Sequence, residues 1–198
     1  MLRLPCLDAR LQAAFDLIGV CSVHADIGAD HGLLPLRLIT DKKALRVIVS
    51  DISAASLAKA ISVFERFGCA EHAEFVEADG IDAVTGPVDS LSILGMGGDR
   101  ILGILKRGAA VLKGAALILS PHTHLYETRR GLYEMGYHIT AEKLALSRGR
   151  YYVLMRAETG SEACDERALR MGPCFIKEPP PHYKDYLSRQ GRYDKFKE

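Results

Sequence analysis

The sequence has 198 residues, 48% apolar and 26% charged, a profile that can bury one sizeable core and is neither disordered nor fibrous. Its 26 Lys and Arg against 25 Asp and Glu leave a formal net charge of +1, which excludes a uniformly basic nucleic-acid coat but permits a local basic face. Five scattered cysteines with no CxxC argue against a disulfide framework or a zinc site, no apolar run is long enough to cross a membrane, and no signal-peptide pattern opens the chain, so the expected compartment is the cytoplasm.

Apolar spacing predicts a first helix over about Asp8 to Ile18, closed by Gly19. A buried strand from Ser22 to Ile27 follows, then a helix from Leu33 to Thr40 with Pro35 in its first turn. Leu45 to Ser50 reads as a second strand, and Ser53 is placed to cap a helix that runs to Phe67. Further strands are expected at Ala73 to Ala78, Ser90 to Leu94 and Ala115 to Ser120. Helices are expected between them at Asp99 to Leu112 and after them at His124 to Met135. Tyr137 to Leu146 and Tyr151 to Ala157 form a last strand pair, joined through Arg148-Gly149-Arg150 as a hairpin. Strand and helix in alternation imply a mostly parallel sheet with helices on both faces, edged by an antiparallel strand. Past about Glu158 the pattern fades. Pro179 to Pro181 make a stiff break, and His182 to Glu198 reads as a short helix or a disordered tail.

In such sheets ligands bind at the carboxyl ends of the strands. The residues with the most chemistry fall there: Asp26-Ile27-Gly28-Ala29-Asp30-His31-Gly32, then Asp51, Asp79-Gly80, Gly95-Met96-Gly97-Gly98, and Pro121-His122-Thr123-His124. Gly28 and Gly32 let backbone approach a ligand. Asp51 can accept both hydroxyls of a ribose, although capping the following helix is a real competitor. Asp79 can accept an adenine amino group, although Asp-Gly is also a common turn pair. Asp30 stands where a dinucleotide loop would have glycine, so a pyrophosphate would be repelled and a cationic ligand such as S-adenosylmethionine favoured. For His31, a surface role and a site role weigh about equally. His122 and His124 suit capping or substrate contact better than zinc, and His24, His72, His138 and His182 carry no usable signal.

The run Ala25 to Pro35 resembles the signature loop of the bacterial tRNA (adenine-N1)-methyltransferases that modify adenine 22, and Gly95 to Gly98 resembles that family's second signature. Leu117-Ile118-Leu119-Ser120-Pro121, Arg10-Leu11 and Gly172-Pro173 are similar as well. The resemblance implies a Rossmann-like class I methyltransferase fold with a seven-stranded, mostly parallel sheet, S-adenosylmethionine as cofactor and tRNA as partner. It divides the chain into a methyltransferase domain at 1–160 and a short tail at 161–198, in place of the family's long helical hairpin. Carried over by position, Asp26, Gly28, Asp30, Asp51, Ile52, Asp79, Gly80, Gly95, Met96 and Gly97 hold the cofactor. Asp30 and His31 are the catalytic candidates, Asp30 as a carboxylate beside the charge that appears on the methylated ring.

His122, where the family carries asparagine, is expected at the substrate together with Arg148, Arg150 and Tyr151. Of Tyr151 and Tyr152, one could stack on a base while strand alternation buries the other. A basic rim for phosphate contact is drawn from Arg37, Lys42, Lys43, Arg100, Arg129, Arg130, Arg148 and Arg150, each of which alone reads equally as a solvated charge. No metal and no membrane is expected, and the chain should be a monomer or weak dimer. The alternatives are the same chemistry on a small-molecule or protein acceptor, and a non-catalytic RNA-binding protein keeping the fold.

Overall fold

Residues 3–190 are described in the computed structural model. The chain alternates α1 (Ala9–Leu17), β1 (Cys21–Ile27), α2 (Leu33–Thr40), β2 (Ala44–Asp51), α3 (Ala54–Arg66), β3 (Ala73–Glu77), β4 (Ser90–Leu94), α4 (Gly98–Arg107), β5 (Ala116–Ser120) and α5 (Leu125–Glu134). It then forms the strand pair β6 (Tyr137–Ser147) and β7 (Arg150–Thr159) and ends in three short helices, α6 (Glu166–Met171), α7 (Pro173–Lys177) and α8 (Tyr183–Arg189). The seven strands lie in one sheet in the order β3-β2-β1-β4-β5-β7-β6. All neighbours are parallel except β7, which runs against both β5 and β6. The switch in strand order falls between β1 and β4, and a ligand is expected beside that point.

Alternation along each strand builds two cores. On β5, Leu117 and Leu119 join a cluster with Ile101 and Leu105 of α4 and Leu132 of α5. Ile118 points to the other face and packs with Ala14 of α1, Leu36 of α2 and Phe64 of α3. Helices α1 to α3 thus cover one face and the later helices the other, as a sheet buried on both sides requires. Asp8 and Ser53 cap α1 and α3 by accepting the backbone N–H groups of Leu11 and Ser56. The hairpin turn is Arg148-Gly149, both at positive φ, which matches the twist of the two strands.

Two expectations need correcting. The helix read over Asp99 to Leu112 stops at Arg107, where Gly108 ends it, and its apolar spacing continues through hydrogen-bonded turns that still bury Leu112. The fading pattern after Glu158 conceals order. Met171, Phe175, Tyr183, Tyr186 and Leu187 enter the same core as Leu117 and Leu119, so residues 166–189 pack onto the sheet. Helices of five or six residues are too short to show a periodicity, which is why the sequence did not display α6 and α7, whereas α8 is the short helix offered as one reading of the segment from His182. The remainder of the expected tail, 191–198, lies outside the described residues.

Candidate active site

The loop after β1 turns because Gly28, Asp30 and Gly32 all take left-handed conformations, rare for aspartate and natural for glycine. The N–H groups of Gly28 and Ala29 both donate to the Ser50 carbonyl, which seats the loop on the end of β2. Gly28 has a second constraint. A Cβ there would come within 2.6 Å of the Met96 methyl, so the loops after β1 and β4 meet at this point.

Asp51 ties the loops together. One carboxylate oxygen accepts the Asp30 N–H at 3.1 Å and the other accepts the Ser53 N–H at 2.9 Å. The helix cap itself is Ser53, so the capping alternative for Asp51 gives way to a bracing one that leaves lone pairs on both oxygens. Beside it Ile52 is 63% exposed, an apolar shelf at the sheet edge of the kind that suits a flat ring.

Asp26, Gly28, Asp30 and His31 line a cavity of about 70 Å³ together with Arg10. Asp26 is buried and accepts the Ser92 hydroxyl. Burial pushes its carboxyl up to about 6, with Asp51 adding to the rise while the Ser92 hydroxyl and Arg10 oppose it. Asp30 and His31 stand exposed at the mouth, 3.6 Å apart, with Lys59 Nζ 3.4 Å from His31 Nε2. Asp79 sits further along the edge. Its carboxylate pairs with Arg100 at 3.1 Å and its carbonyl accepts from Arg107. Gly80 is buried against Ile104 of α4, where a Cβ would come within 2.8 Å.

The loop Gly95 to Gly97 is zipped to the loop after β5. The Gly95 N–H donates to the Ser120 carbonyl and the His122 N–H donates to the Met96 carbonyl. A Cβ on Gly95 would lie 3.1 Å from Arg10 and 3.5 Å from the His122 ring. Arg10 therefore stands between the small cavity and a second cleft of about 300 Å³, lined by His122, His124, Arg150, Tyr151, Tyr152 and Tyr186 among others. Its guanidinium lies over the Tyr152 ring at 5.6 Å, and the His122 ring is tilted against the same tyrosine. Burial, then Arg10, then Arg150 hold the His122 imidazole below its usual range, so it is neutral at pH 7. His124 pairs instead with Asp99 at 2.7 Å.

The structure redistributes several expectations. Both Tyr151 and Tyr152 line the cleft. Alternation holds, but Tyr151 is covered by Tyr186 of α8 and donates to Asp185, while Tyr152 is covered by Arg10 and His122, so neither is a core residue. Arg148 occupies the hairpin turn and does not line the cleft, whereas Arg150 does. Arg129 leaves the basic rim altogether. It is 1% exposed and pairs with the fully buried Glu142 at 2.7 Å. Arg37, Arg100 and Arg130 hold carboxylates, and Lys43 donates to the Phe15 carbonyl. The part played by Arg10 at the junction of the two cavities escaped the sequence reading, because one arginine on an amphipathic helix looks like a solvated charge.

A sheet in this order, with a glycine-bearing loop after β1 and a carboxylate closing β2, defines a class I S-adenosylmethionine-dependent methyltransferase. The family model described as "Methyltransferase domain" matches residues 7–155. The tRNA (adenine(22)-N(1))-methyltransferase of Bacillus subtilis is 33% identical over 180 residues, covering 87% of this chain and 76% of its own. The crystal structure of the B. subtilis m1A22 tRNA methyltransferase TrmK superposes with a TM-score of 0.87 at 29% identity, over 95% of this chain and 83% of that one. Streptococcus pneumoniae Sp1610 in complex with S-adenosyl-L-methionine superposes at 0.89 with 26% identity, over 93% and 88%. The chain belongs to the tRNA (adenine(22)-N(1))-methyltransferase family.

The cofactor suits the residues present. Gly28 leaves space that a Cβ would fill, Asp51 offers two acceptors at the edge, and Arg10 beside Asp26 presents a cation and an anion to an amino-acid group that carries both. Among the described residues no cluster fit to hold a metal ion is found, and no helix is long and apolar enough to cross a membrane.

Proposed function

We propose that this chain methylates N1 of adenine 22 in tRNA. The observation that carries the reading is that the two cavities adjoin at Gly95. A Cβ there would lie 3.1 Å from Arg10, which lines the small cavity, and 3.5 Å from the His122 ring, which lines the larger cleft, so a methyl donor on one side and a flat base on the other can meet beside a glycine.

S-adenosylmethionine supplies an electrophilic methyl group on a sulfonium. Adenine N1 already has its lone pair, so alignment is the task and no strong base is required. Asp26 takes the cofactor's ammonium, Arg10 its carboxylate and Asp51 the ribose hydroxyls. Ile52 and Asp79 flank the cofactor's adenine, and Gly80 lets α4 close in behind it. Base pairing hides N1, so the target base leaves its stack and enters the larger cleft. There Tyr152 offers a face, and the neutral His122 ring accepts a hydrogen bond from the exocyclic amino group. Asp30 faces the positive charge that develops on the base, with His31 and Lys59 holding the loop. Arg150 takes a backbone phosphate at the rim, and Arg148 at the hairpin tip reaches a more distant one.

The protein works in this reading as a cytoplasmic monomer or weak dimer. Methyl transfer from labelled S-adenosylmethionine to unmodified bacterial tRNA, followed by nucleoside analysis, tests it. Label in 1-methyladenosine, with a reverse-transcription stop that maps it to position 22, is the expected result. Cofactor binding without label in tRNA would overturn the substrate.

A further inference from the structure

A line of polar side chains is buried on the sheet face that α1 to α3 cover, the face that otherwise packs Ala14, Leu36, Val49 and Ile118. β1 and β4 pair His24 with Ser90 and Asp26 with Ser92 in register. His24 is 0% exposed. Its Nδ1 lies 2.7 Å from Ser90 Oγ and its Nε2 lies 2.8 Å from Ser92 Oγ. Ser92 also donates to Asp26, and Ser90 Oγ is 3.6 Å from Cys21 Sγ. The single Ser90 hydrogen cannot serve both the ring and the Cys21 sulfur, and the ring is nearer, so a continuous hydrogen-bonded line runs from Ser90, at the start of β4, through His24 and Ser92 to Asp26 in the cofactor cavity. Apolar residues would fill this space at lower desolvation cost.

The proton order follows from the inventory of donors. An ionised Asp26 only accepts, so the single Ser92 hydroxyl hydrogen goes to it. The contact between Ser92 Oγ and His24 Nε2 must then be donated by Nε2–H. Nδ1 is left as an acceptor and takes the Ser90 hydroxyl. The imidazole is thereby fixed as the neutral Nε2–H tautomer, and its hydrogen bond leaves the Ser92 hydroxyl with one direction in which to donate.

We propose that His24, which does not line the cofactor cavity, is a positioning residue that acts through Ser92 to hold the Asp26 carboxylate oriented and ionised for the cofactor's ammonium group. This inference rests on the reading above that Asp26 takes that ammonium. The charged groups that face Asp26 are Arg10 from α1 and Asp51 from β2, with Ser92 donating from β4. No charged group acts on His24, whose imidazole is pushed down to about 3 by burial alone. The ring therefore stays neutral across the range in which Asp26 titrates.

The test uses the full chain, with S-adenosylhomocysteine and S-adenosylmethionine as calorimetric probes over pH 5–8 and ring-nitrogen NMR on the free protein. At pH 8 the His24 ring should show Nε2 protonated and Nδ1 bare. His24→Phe should weaken S-adenosylmethionine binding about tenfold at pH 6, the upper end of the loss expected for one hydrogen bond between neutral groups. It should also move the acid limb of the binding curve to higher pH, and His24→Gln, which keeps a donor and an acceptor, should restore both. A structural role alone would weaken binding equally at every pH. Ser92→Ala removes the Asp26 donor itself and so sets the largest shift the link can give, and the tautomer read in the unaltered protein keeps the proposal open to refutation should His24→Phe fail to fold. An unmoved acid limb in these variants, or an Nδ1–H tautomer at pH 8, overturns the proposal. Unchanged affinity in Asp26→Asn would instead overturn the role given to Asp26 itself.

Discussion

Asp26, near the end of β1, and Asp30, in the loop that follows, meet opposite conditions. The Asp30 side chain is 74% exposed beside His31, while Asp26 is buried on Ser92. An exposed carboxylate at the cavity mouth adds little to ground-state binding and more to a charge that appears only during transfer. Asp30→Ala should therefore cut kcat about tenfold to a hundredfold while S-adenosylmethionine affinity stays within about threefold, as read by single-turnover rates and calorimetry. Equal losses in both would make it a cofactor ligand. In the proposed reading Arg150 belongs to the tRNA side. It has no carboxylate partner among the described residues and lines the larger cleft. Arg150→Ala should raise the KM for tRNA and reduce the slope of log affinity against log salt by about one, with cofactor affinity unchanged.

At the scale of elements, two of the three C-terminal helices, α6 and α7, are fastened by one buried ion pair. Arg129 of α5 holds Glu142 of β6 and also donates to the carbonyls of Leu169 and Arg170, while Glu142 accepts the Cys174 N–H. Removing one partner leaves the other charge buried and uncompensated. Arg129→Ala should lower unfolding free energy by about 3–5 kcal/mol in urea titrations, and Arg129→Met with Glu142→Met by clearly less. Nothing in the sequence marks Arg129 for this, since its carboxylate lies on another element and its neighbour Arg130 makes the ordinary exposed pair with Glu134. The strand ends were legible for the converse reason: Asp26-Ile27-Gly28, Asp51 and Gly95-Met96 declare themselves through local turn chemistry. His24 was illegible because its partners are 66 and 68 residues away and it follows a strand alternation that any apolar residue would satisfy. Ser53 was readable as a cap, and so the bracing job of Asp51 was hidden behind it.

For the whole molecule, Asp26 and His24 give the pH dependence of stability two opposed contributions. Between pH 3.8 and about 6 the folded chain keeps a proton on Asp26 that the unfolded chain has lost, so this group lowers stability as pH rises through that window. Between about 3 and 6.5 the unfolded chain protonates His24 and the folded chain does not, so this group raises stability with pH. The two offset each other between pH 4 and 6. His24→Phe removes the second and, on the proposal above, pushes the Asp26 carboxyl higher still, so both changes make the stability of the wild type relative to the variant climb from pH 4 to 6.5 in urea titrations. A constant difference would show that the imidazole does not change its proton affinity on folding.

Both halves of the site draw on residues far apart in the chain. Arg10, from the first helix, stands between the cavities, while Tyr186 and Gln190, from the last described turn, line the larger one. The last residue that lines the small cavity is Leu94, whereas the larger cleft needs Tyr186 and Gln190 to close its wall. A chain cut before α8 would thus keep every residue that lines the first and lose part of the lining of the second, so the two halves are completed at different points along the sequence.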